Sequence, residues 1–310
     1  MGLNLSRRIM VAVSKNKWMK KQATRFGMTP KGFARRFVAG ETLDEAIDAI
    51  KKLNEKGIWA TLDILGENVT SKEDAEKARD TIFRMFDTIQ KSGVTANVSV
   101  KLTQLGMDVG TDVCTEIIKQ IILHAKNYNN FVRIDMEGSL YTQRTLDSFK
   151  YILQNVSNNI GVVLQANILR TESDVKDIIR LGGRVRLCKG AYLEPKTVAY
   201  TKKRLVNENY LRCAELLIRE GNYPAIATHD VNIITKAKEF VKQYNITPDK
   251  FEFQMLYGIR RDLQEQLVKE GYRVRVYVPF GTEWFPYFTR RLGERFGNVW
   301  FVVKNILFYK

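Results

Sequence analysis

The sequence predicts an α/β protein whose main part is a (β/α)8 TIM-like barrel, with an N-terminal helical arm in front of it. Eight short apolar segments alternate with amphipathic segments, glycines precede several of the apolar segments, and polar residues gather where these segments end. Eight strands alternating with helices is the repeat count of a closed parallel barrel. We therefore expect a basic helical arm over residues 1–40 and one barrel domain over residues 41–310.

Hydrophobic periodicity predicts the individual elements. Residues 42–56 carry apolar side chains at helical spacing and end at Gly57, a usual position for a helix C-cap. The same pattern predicts helices over residues 71–92, 117–128, 145–154, 172–181, 207–220, 233–244 and 262–270. Strands are predicted over residues 58–65, 96–102, 131–136, 160–166, 184–189, 225–229, 251–256 and 273–278. A doubly wound sheet is the alternative, but no GxGxxG sequence follows the first strand.

The charge of the chain is concentrated near its N-terminus. The formal net charge is +16 over 310 residues, and residues 1–40 contain ten basic residues and no acidic one. Outside this arm, basic residues are not interleaved with stacking aromatics, so we expect no nucleic-acid partner. The arm suits peripheral contact with an anionic membrane, and it equally suits packing against the barrel.

Few residues are available for metal or disulfide chemistry. The three cysteines are far apart, and His124 and His229 are the only two histidines. We therefore expect no metal site and no disulfide framework. The longest uncharged stretch contains several Asn, Gln and Ser residues, which argues against a membrane span. A cytoplasmic protein, associated at most with the inner face of the membrane, fits these features.

Polar residues end almost every predicted strand. They are Asp63, Glu67, Lys101, Asp135, Glu137, Gln165, Arg186, Lys189, Thr228, His229, Asp230, Gln254 and Tyr277. The carboxyl ends of the strands carry the active site in this fold, so the pattern predicts an active site there. Lys101 and Asp135 follow neighbouring strands, and we expect them to pair.

The segment after the last strand carries two adjacent arginines. Pro279 and Gly281 are expected to make the turn that leaves the strand, and the following helix buries Phe285, Phe288, Leu292 and Phe296. Arg290 and Arg291 flank that apolar stripe. Two interpretations remain open here: an ion pair between Arg290 and Glu294 on an exposed helix face, or a guanidinium clamp for a carboxylate or phosphate.

These segments resemble the proline dehydrogenase family of FAD-dependent barrel enzymes. The C-terminal signature is the run Tyr277-Val278-Pro279-Phe280-Gly281 followed by Trp284, Tyr287, Arg290-Arg291 and Glu294-Arg295. Six other segments agree in order and place: Leu65-Gly66-Glu67, Ser99 to Leu102, Arg133 to Glu137, Arg186 to Tyr192, Ala227-Thr228-His229 and Phe253 to Leu256. The resemblance covers the chain from about Thr42 to the C-terminus.

The resemblance implies roles for individual residues. Lys101, Arg290 and Arg291 would hold the proline carboxylate, with Tyr277 and Leu256 packed on the pyrrolidine ring. Asp135 and Arg186 would be catalytic-site residues, and Glu67 would pair with a clamp arginine and close the pocket. The positions that match FAD contacts are Met136, Gln165, Arg186, Lys189, Gly190, Ala191, Tyr192, Thr228, His229, Gln254 and Leu256. Asp230 stands where the family often has Asn.

The resemblance also implies a reaction and its partners. L-proline would lose a hydride from C5 to flavin N5 and give 1-pyrroline-5-carboxylate, and the electrons would pass to a quinone. The chain has neither the length nor the dinucleotide fingerprint of bifunctional relatives, so a separate pyrroline-5-carboxylate dehydrogenase would act next. The alternative function is a lysine Schiff-base barrel enzyme of the aldolase or PLP type, with Lys101 or Lys189 as the amine.

Overall fold

The computed structural model describes Met28 and residues 32–293, and in this part of the chain eight parallel strands close into a barrel in the order β1 to β8. The strands are β1 (Trp59–Ile64), β2 (Ala96–Val100), β3 (Val132–Ile134), β4 (Ile160–Gln165), β5 (Arg184–Cys188), β6 (Ala225–Ala227), β7 (Glu252–Leu256) and β8 (Val274–Phe280). β1 pairs with both β2 and β8, which closes the sheet. The predicted barrel is confirmed.

Helices alternate with these strands and cover the outside of the barrel. They are α1 (Leu43–Asn54), α2 (Lys72–Ser92), α3 (Thr111–Asn127), α4 (Thr142–Asn155), α5 (Thr171–Arg180), α6 (Lys203–Glu220), α7 (Val231–Gln243), α8 (Arg261–Lys269) and α9 (Trp284–Gly293). Thr42 and Glu45 form a capping box at the start of α1. Gly93 ends α2 in the left-handed conformation, with φ of 67°.

The barrel interior is polar, and the hydrophobic core is the layer between strands and helices. On β2, Val98 and Val100 belong to the buried apolar core. Ser99, between them, contacts Arg186 of β5, a strand that does not neighbour β2, so both side chains cross the barrel interior. Barrel interiors are usually filled by branched apolar residues. Here the interior carries hydrogen-bonded and charged side chains instead, which connect the strands to the site described below.

The last helix packs together with the end of the predicted arm. Trp284, Phe285 and Phe288 of α9 are buried in one cluster with Ala34 and Val38. This part of the arm therefore packs against the barrel. Leu65, just beyond β1, belongs to the same cluster, so α9 is fixed beside the carboxyl end of β1. The rest of the arm, the Leu292 side chain, Phe296 and Glu294 lie outside the described residues.

One expectation about turns is wrong. Pro279 lies inside β8, in register with Asp63, and its carbonyl accepts the amide of Ala39 at 2.9 Å. Only Gly281, with φ of 118°, makes the turn. Gly161 lies inside β4, within the strand predicted over residues 160–166. A Cβ there would lie 2.4 Å from Nη1 of Arg133, so this glycine leaves room for a guanidinium group in the barrel.

Candidate active site

A cavity of about 870 Å³ opens at the carboxyl ends of the strands. All the predicted site residues except Glu67 line it: Lys101, Asp135, Met136, Gln165, Arg186, Lys189, Gly190, Ala191, Tyr192, Thr228, His229, Gln254, Leu256, Tyr277, Arg290 and Arg291. A concave pocket with convergent charged groups at this end of a (β/α)8 barrel is the expected place for catalysis. The structure thus brings these residues to one site.

Lys101 forms a buried ion pair with Asp63. Its Nζ lies 2.7 Å from Oδ1 of Asp63, and both side chains are almost fully buried. The expectation that Lys101 pairs with Asp135 is wrong, because the Asp135 carboxylate is bound by groups from across the barrel. Burial and the negative charge of Asp135 raise the pKa of Asp63 to about 6, although Lys101 acts in the opposite direction.

The state of Lys101 argues against Schiff-base chemistry. Burial by itself would lower the pKa of Lys101, but the carboxylates of Asp63 and Asp135 outweigh it and raise the pKa above the usual value. A Schiff-base lysine needs a neutral amine, and enzymes obtain one by lowering its pKa. Lys189 is engaged as well, since its Nζ lies 2.7 Å from Oδ2 of Asp230. The lysine-based alternative is therefore not favoured.

Asp135 accepts hydrogen bonds from three side chains of other strands, one of which is Ser99 of β2, whose hydroxyl donates to Oδ1 at 3.1 Å. Arg186 Nη1 donates to Oδ1 of Asp135 at 2.7 Å, and the Tyr277 hydroxyl donates to Oδ2 at 2.6 Å. Arg186 also donates through Nε to Oε1 of Gln254 at 2.5 Å. Burial and the Asp135 carboxylate raise the pKa of Tyr277 well above its usual value, so the phenol keeps its proton. The network fixes a carboxylate, a guanidinium group and a phenol against the cavity.

Glu67 contacts the site through Arg290. Nη2 of Arg290 on α9 lies 2.8 Å from Oε1 of Glu67, which follows β1. Both side chains are about one-quarter exposed, at 26% for Arg290 and 23% for Glu67. The pair therefore lies at the rim of the cavity, and it links α9 to the loop after β1. The sequence left two interpretations of Arg290 open. The one that pairs Arg290 with Glu294 involves a residue outside the described part of the chain, so the structure does not test it.

The wall after β5 has a backbone that only glycine adopts easily. Gly190 has φ of 101°, and a Cβ there would lie 2.0 Å from Oδ1 of Asn167. That Asn167 oxygen is buried and has no hydrogen-bond partner within the described structure. Both residues line the cavity. The absence of a side chain at Gly190 therefore makes room for the Asn167 amide, whose buried oxygen lies beside the cavity without a protein partner within the described structure.

His229 is oriented by the neighbouring strand. Its Nε2 accepts the backbone N–H of Leu256 at 2.9 Å. An accepting Nε2 assigns the proton of the neutral imidazole to Nδ1. Gln165 is positioned in a similar way, because its amide donates to the carbonyl of Glu137 at 2.8 Å. Both side chains lie against the cavity with their orientation set by backbone groups.

Sequence reasoning missed Asn167 as a member of the site, and it gave no role to Asp63, Glu137 and Tyr287, which also line the cavity. Asp63 had a usable signal, because it lies two residues after Thr61 and so shares its face of β1. The strand pattern gave no signal for Asn167 or Tyr287, since Asn167 lies on a turn and Tyr287 lies on α9.

Within Met28 and residues 32–293, no helix is long and apolar enough to cross a membrane. No group of three or more His, Cys, Asp or Glu side chains in the same region is arranged to hold a metal ion.

A closed eight-stranded barrel with a cavity lined by charged residues at the carboxyl ends of its strands is the architecture of a (β/α)8-barrel enzyme. The sequence profile of the proline dehydrogenase family matches residues 46–304. This chain therefore belongs to the proline dehydrogenase family. It is an oxidoreductase that oxidises proline in proline catabolism, and membership of this family makes it flavin-dependent.

Individual relatives agree with this membership. Proline dehydrogenase 1 of Bacillus subtilis subsp. natto is 40% identical over 301 residues, which cover 97% of this chain and 99% of that protein. The proline dehydrogenase of Deinococcus radiodurans is 41% identical over 278 residues, covering 88% of this chain and 90% of that protein. The bifunctional protein PutA of Escherichia coli is 29% identical, but only 23% of its length is covered.

A solved structure shares the fold. The crystal structure of proline utilization A (PutA) from Bdellovibrio bacteriovorus, inactivated by N-propargylglycine, matches with a TM-score of 0.79 and 24% identity. The match covers 96% of this chain and 38% of that one.

Proposed function

We propose that the cavity binds L-proline through its carboxylate at Lys101, Arg290 and Arg291, with FAD along the wall that contains Gly190. The observation that carries this proposal is the convergence of three cationic side chains from β2 and α9 on one cavity at the carboxyl ends of the strands. Guanidinium and ammonium groups give charge-assisted hydrogen bonds to a carboxylate. Leu256 and Tyr277 line the same cavity and would pack on the pyrrolidine ring.

The residues present fit a flavin nucleotide. The cavity of about 870 Å³ is large enough for a cofactor together with a small amino acid. Gly190 makes room for the Asn167 side chain, whose buried oxygen has no donor among the described residues and can accept one from the cofactor. The residues that would hold FAD are Met136, Gln165, Arg186, Lys189, Gly190, Ala191, Tyr192, Thr228, His229, Gln254 and Leu256.

A bound FAD would accept the hydride that leaves C5 of proline, and the product would be 1-pyrroline-5-carboxylate. Only a neutral ring nitrogen can donate electrons as the hydride leaves. The cations that bind the carboxylate favour loss of the ammonium proton, because like charges disfavour a second cation nearby. Asp135 holds Arg186 and Tyr277 in place, and the apolar side of the pocket excludes water.

Spectroscopy of the purified protein tests this proposal. Anaerobic addition of L-proline should bleach the visible absorption of the bound flavin, and D-proline, with its carboxylate on the other side, should bleach it far more slowly. Release of the flavin by denaturation and chromatography identifies it as FAD or FMN. A flavin that proline does not reduce would contradict the substrate assignment, and released FMN would contradict the cofactor assignment.

We also propose that the electrons pass to a membrane quinone, and that a separate pyrroline-5-carboxylate dehydrogenase consumes the product. Support for the separate dehydrogenase comes from relatives named proline dehydrogenase, of whose length 99% and 90% are matched. Apolar residues among the cations of the predicted arm, such as Ile9, Met10, Val13 and Trp18, would meet the lipid surface. Co-sedimentation with anionic vesicles should therefore weaken with salt and on deletion of residues 1–27; insensitivity to both would contradict the role of the arm.

A further inference from the structure

A second cavity, of about 410 Å³, lies at the opposite end of the barrel, where the strands begin. Its lining includes Trp59 at the start of β1, Arg184 at the start of β5 and Arg273 just before β8. The catalytic machinery of this fold lies at the other end, and conservation at the amino end generally serves stability. The proline-binding site therefore does not explain the composition of this cavity.

The charges that line the cavity are unbalanced. Four arginines line it (Arg133, Arg184, Arg273 and Arg275), against the two carboxylates of Asp249 and Glu252. Glu252 is already used, since its Oε1 accepts from Arg275 Nε at 2.8 Å. No carboxylate in the described part of the chain lies within ion-pair distance of Arg133, Arg184 or Arg273. Buried or half-buried cations are normally paired, so this excess requires an explanation.

Arg133 is the clearest case. Its side chain is only 2% exposed, and its Nε is buried without a hydrogen-bond partner in the described structure. Nη1 donates to the carbonyl of Arg184 at 2.9 Å, in the space that Gly161 leaves. Burial and the positive charges of Arg186, Arg275 and Arg184 lower the pKa of Arg133 well below its usual value. An anion in the cavity would relieve both the repulsion and the missing hydrogen bond.

Aromatic rings hold the other guanidinium groups in place. Arg184 lies over the rings of Phe131 and Tyr223, each at 5.3 Å from the centroid. Arg273 lies over Trp59 at 4.3 Å and donates to the Tyr223 hydroxyl at 2.7 Å. Cation–π contacts fix a guanidinium plane without neutralising its charge. The donors are thus arranged in advance for a ligand, which reduces the entropy lost on binding.

We propose that this cavity is a second ligand site, which binds a small oxyanion, a carboxylate or a phosphate group, through Arg133, Arg184 and Arg273. Planar guanidinium groups match the oxygen geometry of both groups. The cavity is separate from the proline-binding cavity, so both ligands bind at the same time.

Titration of the holoenzyme with inorganic phosphate, followed by calorimetry at constant ionic strength, tests the proposal. Arg184→Gln removes a half-buried side chain that makes no side-chain hydrogen bond in the described structure, so it should fold normally. Loss of one charge-assisted contact should weaken phosphate binding about ten- to a hundredfold. Arg133→Met should weaken it similarly, and without the anion this variant should be at least as stable as wild type.

Two control variants show whether the measured phosphate binding takes place in this cavity. Arg84→Gln makes the same charge change on the exposed face of α2, far from the cavity, and should leave phosphate affinity unchanged. Arg290→Met, in the proline cavity, should affect only anion binding in that cavity and should leave the phosphate binding that depends on Arg184 unchanged. Succinate replaces phosphate in a parallel titration and shows whether carboxylates bind; chloride at equal ionic strength should give no saturable heat.

Each result of these titrations either supports or overturns the proposed site. Saturable binding of either oxyanion that weakens in Arg184→Gln and Arg133→Met, but not in Arg84→Gln or Arg290→Met, supports the site. Absence of saturable binding to the wild type overturns it, as does equal binding to all variants. Weakening in Arg290→Met alone would place the anion in the proline cavity and would also overturn it, while leaving the proline-binding assignment intact.

Discussion

Lys101 and Asp63 form an ion pair that is almost completely withdrawn from water, with 2.7 Å between Nζ and Oδ1. The pair joins β1 to the end of β2 beside the substrate cavity. The two partners are not equivalent: burial raises the pKa of Asp63 to about 6, and the pKa of Lys101 is also raised. The lysine therefore keeps its charge throughout the physiological range, whereas the aspartate gains a proton in mildly acidic solution.

This asymmetry predicts unequal effects of removing either partner. Asp63→Asn leaves the buried, charged Lys101 without its partner and should lower the free energy of unfolding at pH 7 by about 3–5 kcal/mol. Lys101→Met leaves an aspartate whose pKa is already raised and which can bind a proton, so it should cost less. Urea denaturation measures both, and the double variant, without either charge, should regain most of the loss. Equal losses in the two single variants would contradict the raised pKa of Asp63.

The same pair predicts a pH dependence of stability. The folded-state pKa of Asp63, about 6, exceeds the ordinary value of 3.8, so the folded protein binds a proton that the unfolded chain does not. The stabilisation from this proton is complete below the unfolded pKa and is lost as the pH rises through about 6. Lys101 lowers the pKa of Asp63, so Lys101→Met should lose more on going from pH 5 to pH 7. Unfolding measured at both pH values checks this sign.

Substitution of Arg290 should affect proline binding more than substitution of its partner. In the proposed binding mode, Arg290→Met removes a charge-assisted hydrogen bond to the carboxylate, and it should raise the KM for proline by about one to two orders of magnitude. Arg291→Met is expected to act in the same direction. Glu67→Gln breaks a partly exposed ion pair, worth at most about 1 kcal/mol, and should change KM about fivefold or less. An unchanged KM in both arginine variants, measured with normal flavin content, would show that the clamp assignment is wrong.

The repeat of eight short apolar segments with amphipathic segments between them carried most of the fold information. Parallel strands end at one face, so the barrel and the location of the site follow from the sequence. The pattern does not give the depth or direction of a side chain inside the barrel. For that reason Lys101 was expected to pair with Asp135 and was found with Asp63. β2 neighbours both β1 and β3, and only packing decides between them.

Elements outside the repeat were harder to predict. Pro279 lacks an N–H group and was expected to end the last strand, but β8 continues through it because its carbonyl is bonded to Ala39 from the arm. Gly161 resembles a turn residue in sequence, and its role is to make space for Arg133. Both depend on contacts with distant parts of the chain, which local propensity does not contain.

The hydrogen bond between Tyr277 and Asp135 should contribute to both stability and catalysis. Tyr277→Phe leaves one oxygen of a partly buried carboxylate without its donor, which should cost about 1–3 kcal/mol of unfolding free energy. The value of kcat/KM for proline should fall as Asp135 and Arg186 lose their fixed orientation. Tyr141→Phe is the matched control, because its hydroxyl donates to the exposed Asp108 at 2.9 Å. Similar losses of unfolding free energy and of kcat/KM in both variants would contradict a specific role for the hydrogen bond between Tyr277 and Asp135.

Gly190 should be required for cofactor retention. Gly190→Ala places a methyl group 2.0 Å from the Asn167 oxygen at a φ of 101°, so the wall of the cavity has to shift. The purified variant should contain less flavin per chain than wild type, as measured by absorbance after denaturation. Gly93→Ala provides the control, since Gly93 also has a positive φ, of 67°, but a Cβ there meets no atom within 4 Å. It should lose only about 1 kcal/mol of stability and keep its flavin.

The comparison separates backbone strain from loss of the cofactor contact. Both glycine variants place an alanine at a positive φ, which destabilises the folded protein. A lower flavin content in both variants would therefore indicate general destabilisation. A deficit confined to Gly190→Ala would come from the displaced wall between Gly190 and Asn167. Removal of the Asn167 side chain in Gly190→Ala/Asn167→Ala eliminates the steric conflict and should restore stability to the level of Gly93→Ala. Flavin content should recover only in part, because the buried oxygen that faces the cavity is then missing.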